Sequence, residues 1–214
     1  MVAADFVQPN WNYNSPANAL VSSWVGLGGN GLTDPLIQCG TSMGWHPTSP
    51  TLGYYAAGAC GAWYEYLPYN PTAVYVLPFT INSGDQISAM TFWAQSNYPA
   101  NFSVWDWTTM SHLNIDVQDP NGHGYDGGTA EVVDERPQIG TDAQGNPIYA
   151  PLAGFGNNNW SMCEVNNGNF IDNSTFSDSM YSNGQFTGDL LAYPYNIQTV
   201  NGYGSFTDHY VASQ

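Results

Sequence analysis

The feature that most constrains this chain is a rhythm of short runs. Stretches rich in aromatic and β-branched residues recur at 20–27, 35–39, 62–67, 73–79, 86–94, 102–107, 113–118, 130–134, 152–155 and 196–199. Clusters of Gly, Asn, Pro and Asp separate them, and no stretch carries apolar residues at helical period. Asn-Gly pairs at 30–31, 121–122, 167–168, 183–184 and 201–202 supply the positive φ angles that tight turns need. Many short strands punctuated in this way bury their apolar faces by pairing and stacking, which predicts an all-β antiparallel sandwich. A chain of 214 residues without repeat or linker fits a single domain over residues 1–214, with ample material for a core.

Charge narrows the setting. Hydrophobic residues make up 43% of the chain, yet charged residues make up only 8%, against roughly a quarter in ordinary soluble domains. Arg136 is the only Lys or Arg, facing 17 Asp and Glu. Acid unfolds most domains by protonating carboxylates that are ion-paired in the fold and by accumulating positive charge. With one strong cation, this chain has few ion pairs to lose and little positive charge to accumulate. Its solubility rests on amides and hydroxyls, which hydrate alike at any pH. The composition therefore reads as that of a protein secreted into acidic surroundings. At neutral pH the formal charge of −16 argues against nucleic acid and anionic membranes as partners. No apolar run approaches the ~20 residues of a membrane span. The first residues, Met-Val-Ala-Ala-Asp-Phe, contain neither a basic nor an apolar leader region. Either a leader has been removed or export is not classical, and acid adaptation favours the former.

The ordinary reactive side chains offer little. Cys39, Cys60 and Cys163 do not form an even set. A Cys39–Cys60 bridge would require neighbouring strands, and three buried thiols are an equal alternative. The cysteine spacing does not suit zinc and the 4 His are scattered, so no metal and no cofactor are expected. Imidazole is protonated in acid and useless there as a base, which leaves His112 and His123 as loop residues. The polar loop of Asp119, Asn121 and Asp126 reads as a turn, because acid would strip calcium from it.

Acid chemistry without a metal needs carboxylates. Glu65 lies in Ala62-Trp63-Tyr64-Glu65-Tyr66-Leu67-Pro68, where strand alternation puts Trp63 and Glu65 on one face. Glu131 opens Glu131-Val132-Val133-Asp134-Glu135-Arg136-Pro137, and Gln38 ends the apolar run Pro35-Leu36-Ile37-Gln38. Trp11, Trp24, Trp45, Trp63, Tyr64 and Tyr66 crowd the first third of the chain. Together they suggest a ring-lined groove for an extended polymer, peptide or polysaccharide.

These segments carry a resemblance. Trp24-Val25-Gly26-Leu27 followed by Leu36-Ile37-Gln38-Cys39-Gly40, then the Ala62–Pro68 block, then Thr129-Ala130-Glu131-Val132-Val133 with Glu135-Arg136-Pro137, resemble the glutamic peptidases (eqolisins) in family order. The resemblance implies two bent seven-stranded antiparallel sheets with the active site on a concave face, and an acid endopeptidase acting on polypeptides as a monomer. It implies Gln38 and Glu131 as catalytic residues, with Trp11, Trp24, Trp63 and Glu65 lining the cleft. The chain departs from the family at Gly61, where an aspartate is usual, and at Leu67 and Val132, where aromatic or bulky residues are usual. The residues make chemical sense in those roles: a carboxylate with a reference pKa near ~4.3 can take a proton from water, and a neutral amide can hold that water and an oxyanion at any pH.

Two other readings fit the same residues. A glycoside hydrolase would pair Glu65 with Glu131, and a retaining one would hold their carboxyls ~5–5.5 Å apart. A non-catalytic binding module would use the rings alone. Arg136, five residues after Glu131, is expected on the opposite face if alternation continues, with Asp134 as its partner.

Overall fold

The computed structural model describes residues 1–10, 16, 19–29, 35–44, 60–67, 69–93, 99–118, 128–166, 168–169, 175–182 and 188–213. Among them the chain forms strands and no helix. In order these are β1 (Val2–Val7), β2 (Leu20–Gly28), β3 (Leu36–Gly44), β4 (Cys60–Leu67), β5 (Asn70–Ile81), β6 (Gln86–Phe92), β7 (Ala100–Asp106) and β8 (Ser111–Val117). There follow β9 (Ala130–Glu135), β10 (Gln138–Thr141), β11 (Pro147–Tyr149), β12 (Asn157–Val165), β13 (Gly168–Asn169), β14 (Met180–Tyr181), β15 (Leu190–Val200) and β16 (Tyr203–Tyr210).

Two antiparallel sheets face each other. The larger runs β14-β15-β16-β12-β1-β6-β7-β8 with β13 added beside β12, and the smaller runs β5-β4-β3-β2-β9. The described strands therefore divide nine and five, not seven and seven, and β10 and β11 form a separate two-stranded ribbon. β2 and β3 lie across β1, β6 and β7. Alternation decides what fills the space between. Val2, Ala4 and Phe6 of β1, Ile87 and Ala89 of β6, and Phe102 and Val104 of β7 turn inward. They meet Val25 and Leu27 of β2, Ile37 and Met43 of β3, and Ala62 and Tyr66 of β4. Burying one such branched or aromatic side chain contributes roughly 1.5–3 kcal/mol. β2 is buried along its whole length, because one face lies on the larger sheet and the other forms the floor of a cleft.

The turn chemistry holds at the 201–202 pair, whereas Gly168 of the 167–168 pair does not adopt positive φ. Asn201 (φ 53°) and Gly202 (φ 87°) both adopt positive φ and join β15 to β16 as a two-residue hairpin. Asn166 (φ 51°) begins the connection from β12 to β13. The pairs at 30–31, 121–122 and 183–184 lie outside the described residues.

Several expectations need correction. Segment 152–155 is no strand; Leu152 makes only an isolated parallel bridge to Leu20. Strands β1, β10 to β14 and β16 carry no strong strand signal, and Asn-Asn-Asn-Trp-Ser-Met-Cys-Glu-Val reads as loop by composition. It becomes β12 because β1 and β16 flank it and bury Asn158, Trp160 and Cys163. The Cys39–Cys60 bridge does not form: Cys39 is a buried free thiol. Its cross-strand neighbour on β4 is Tyr64, which puts Cys60 four residues away, about 13 Å along the strand and out of disulfide range. The Cys39 thiol instead packs against Met90 O, Thr91 and Ser103 O, and burial pushes its pKa up to about 11.

Arg136 is also placed differently. β9 ends at Glu135, so strand alternation no longer governs it. Its guanidinium donates to Ser182 O at 2.9 Å and lies over the Tyr149 ring at 5.1 Å. Asp134 is engaged elsewhere, accepting from Ser23, from Asn158 Nδ2 at 2.9 and 3.0 Å, and from Trp160 Nε1 at 2.9 Å, beside Asp208. This buried polar cluster ties the smaller sheet to the larger one.

Candidate active site

Register across the smaller sheet builds the site row by row. Glu131 on β9 pairs with Gly26 on β2, Gly26 pairs with Gln38 on β3, and Gln38 pairs with Glu65 on β4. All four stand on the face turned away from the core, whose residues have the other parity. Cα atoms two strands apart are separated by about 10 Å. Gly26, without a side chain, makes room for the Trp24 ring edge between Gln38 and Glu131.

The next row is Val133, Trp24, Gly40 and Trp63. Gly40 is required there: an added Cβ would lie 2.1 Å from Ser23 O and 2.6 Å from Trp24 Cα. Trp24 leans back over the first row, since a Cβ on Gly26 would meet its Cζ3 at 2.8 Å. The indole edge thus covers the floor between Gln38 and Glu131. The third row is Glu135, Ser22, Ser42 and Gly61, with the two serine hydroxyls 2.6 Å apart.

Polar contacts orient the amide. Gln38 is 5% exposed and donates through Nε2 to Glu65 Oε2 at 2.5 Å. Its Oε1 is buried and has no hydrogen-bond partner, as do the Nε1 groups of Trp24 and Trp63. A buried polar atom left unpaired costs roughly 1–3 kcal/mol, and three gathered on one face mark a place where a ligand supplies the partners. Thr129 Oγ1 donates to Gly28 O at 2.7 Å and stands 3.4 Å from Glu131 Oε1.

Burial raises the pKa of Glu131, against a smaller lowering by Thr129, and raises that of Glu65, against a smaller lowering by Gln38. Burial, reinforced by the charge of Glu65, pushes Glu135 up to about 8. The cleft is a cluster of three reluctant carboxyls around one amide and two indoles.

The structure brings Gln38, Glu131, Glu65, Trp24 and Trp63 together; Trp11 lies outside the described residues. For a glycosidase pair, Glu65 and Glu131 stand at opposite ends of the row, three strands apart, with Gln38 between them and bonded to Glu65. Glu135 is the residue the sequence reading passed over. Its spacing from Glu131, two and then four along one strand, already placed it on the same face. Among the described residues no three His, Cys, Asp or Glu are arranged to hold a metal ion.

Fold and cleft together define a β-sandwich whose concave face presents a carboxyl and an amide across a glycine. The chain belongs to the peptidase A4 family, the glutamic endopeptidases, whose model matches residues 1–193. Among solved structures it is similar to scytalidoglutamic peptidase with a transition-state analogue inhibitor, at 20% identity and TM-score 0.72, covering 98% of this chain and 91% of that one. It is similar also to aspergilloglutamic peptidase from Aspergillus niger, at 21% identity and TM-score 0.66 over 90% and 99% of the two chains. A third is the eqolisin SCP-B in complex with the tripeptide Ala-Ile-His, at 19% identity and TM-score 0.68 over 98% and 91%. At these identities the likeness is one of fold. No curated protein sequence matches the chain.

Proposed function

We propose that this protein is an acid endopeptidase that hydrolyses peptide bonds with a water held between Gln38 and Glu131. Ionised Glu131 takes a proton from the water as its oxygen attacks the scissile carbonyl carbon. The carbonyl electron pair moves onto oxygen, and a Gln38 N–H stabilises that oxyanion. Glu131 then returns the proton to the amide nitrogen as the C–N bond breaks, releasing a carboxylic acid and an amine. Removing one oxyanion donor typically costs roughly 3–4 kcal/mol in the transition state. The reaction asks nothing of a metal or cofactor.

The observation that carries the reading is the unpartnered Gln38 Oε1, buried in the same cross-strand row as Glu131. A water there would accept nothing from Gln38 and donate to it, which leaves a lone pair free for attack. Polypeptide substrates are supported by two relatives in the same fold, one holding a transition-state analogue inhibitor and one a tripeptide. Secretion, acid stability and a monomeric state are part of the proposal, supported by the dearth of cations.

The test is digestion of denatured casein at acid pH by wild type, Gln38→Ala and Glu131→Gln. Both variants are expected to lose cleavage by about a hundredfold or more while melting like wild type. Because burial raises the Glu131 pKa and the base must be ionised, the acid limb of kcat/KM should lie above the ordinary glutamate value. Undiminished cleavage by Gln38→Ala, or cleavage of glucan without cleavage of casein, refutes the reading.

A further inference from the structure

Glu135 has no part in the scheme above, yet it is the most perturbed carboxyl of the cleft. We propose that Glu135 is a positioning residue: its carboxyl anchors the Trp24 indole that covers Gly26 between Gln38 and Glu131. The inference rests on the endopeptidase reading and names a further member of the same site.

Geometry supplies the argument. Glu135 and Glu131 share one face of β9, and Glu135 pairs with Ser22, two residues before Trp24 on β2. The Trp24 Nε1–H is buried and closes no hydrogen bond, while the Glu135 carboxyl beside it feels that N–H as a stabilising neighbour. Trp24 cannot shift freely, because its ring edge already fills the space above Gly26. Whatever fixes the indole N–H therefore fixes the floor between the two catalytic groups.

The charge state follows from the neighbours. Glu65 from β4 and Glu131 from β9 are the ionisable groups acting on Glu135, and both are acids. β2 and β3 contribute only Ser22, Ser42, Trp24 and Gln38 to this face. Burial first, then repulsion from Glu65, push the carboxyl to about 8, with Trp24 offsetting part. Under acid conditions Glu135 is neutral and its carbonyl oxygen is free to accept from the indole. Raising the pH adds a third negative charge beside Glu131. Gly61, at the far end of the same row, offers no second carboxyl to share the task.

Two variants separate this role from a merely structural one. Glu135→Gln keeps an acceptor and cannot ionise; Glu135→Leu keeps the bulk and removes the acceptor. At acid pH, Glu135→Gln should retain kcat within about threefold and Glu135→Leu should lose about tenfold or more, both with little change in KM. Across the pH range where each protein stays folded by circular dichroism, Glu135→Gln should hold its activity higher on the alkaline side than wild type. The indole N–H resonance of Trp24 should move in Glu135→Leu and hardly in Glu135→Gln. The chain has only four glutamates, at 65, 131, 135 and 164, so carboxyl-labelled glutamate resolves each titration even if the leucine variant fails to fold. An ordinary acid titration of Glu135, an unmoved Trp24 resonance, or identical pH profiles for both variants and wild type would overturn the proposal. Absence of peptidase activity in the wild type sinks the endopeptidase reading instead, and the two resonance measurements still decide whether Glu135 is neutral and attached to Trp24.

Discussion

Raising the pH should unfold this protein well before alkaline conditions, and the structure says where the pressure comes from. Asp134 on β9 and Asp208 on β16 face each other between the sheets, each less than a tenth exposed. Burial raises both, and the Asp134 charge pushes Asp208 further, up to about 9, while the hydrogen bond from Asp208 lowers Asp134 in part, so the pair holds a proton into the neutral range. Glu135 holds another up to about 8. In the unfolded chain these acids ionise near their ordinary values, 3.8 for aspartate and 4.5 for glutamate. A folded-state pKa raised above the unfolded one stabilises the fold fully in acid, and that contribution fades as pH climbs from the unfolded value towards the folded one. Each retained proton lowers stability by about 1.4 kcal/mol per pH unit in that window. Two protons make about 3 kcal/mol per unit, so two units above the ordinary glutamate value remove about 5 kcal/mol. That equals the whole stability of many domains. Thermal melts followed by circular dichroism should therefore fall steeply from mildly acid to neutral pH. In Asp208→Asn the new amide can donate to an ionised Asp134, and the slope should drop by about one proton's worth. A melting temperature flat from pH 4.5 to 7, or the same slope in Asp208→Asn as in wild type, would refute the reasoning.

Two further outcomes follow from the site. Gly26→Ala places a methyl 2.8 Å from the Trp24 ring edge and 3.2 Å from Leu36 Cδ1, so it should lower stability by about 1–3 kcal/mol through overpacking and reduce kcat through the displaced indole; melts and steady-state kinetics check both, and an unimpaired Gly26→Ala would contradict the tight floor. Glu65→Leu strips the acceptor from the Gln38 amide and should lower kcat about tenfold, whereas Glu65→Gln, which can still accept from Nε2, should keep most of it; equal kcat in both variants would show that Glu65 does not orient Gln38.

The smaller sheet was legible in the sequence and the larger one only in part, for a physical reason. Strands β2 and β3 are covered on both faces, one by core and one by cleft, and β4 carries aromatic residues on both faces, so their residues betray them. β12 and β16 lie in the larger sheet, and their outward positions carry Asn157, Asn159, Ser161 and His209, residue types that read as turn. Exposed polar residues in place of Lys and Glu erase the usual contrast between strand and loop. The site was legible for a different reason: Gln38, Glu65 and Glu131 stand out as polar residues in apolar runs. Register then aligned them in one row, which no spacing along the chain could show. Glu135 stands in the segment that follows Glu131, and only its pairing with Ser22 places it in the row beside Trp24.

The scarcity of cations and the burial of acids turn out to be one adaptation. With a single Lys or Arg the chain has few ion pairs for acid to break, but the fold goes further. Asp5, Glu65, Glu131, Asp134, Glu135 and Asp208 are all shifted upward, with burial the leading cause each time. Among the described acids only the exposed Asp142, held by Asn146 in its turn, is shifted the other way. A buried carboxyl is inexpensive to fold around when it is neutral and costly when it is charged. A chain with one arginine cannot neutralise such groups by pairing, so protons must do it. Protons should then act as ligands of the native state, at the sheet interface and in the cleft alike. The same protons keep Glu135 neutral beside Trp24 and hold the cleft near zero charge. Stability and activity should therefore fail together as pH rises, and Asp208→Asn separates them: it relieves the sheet interface while leaving Glu135 to limit activity.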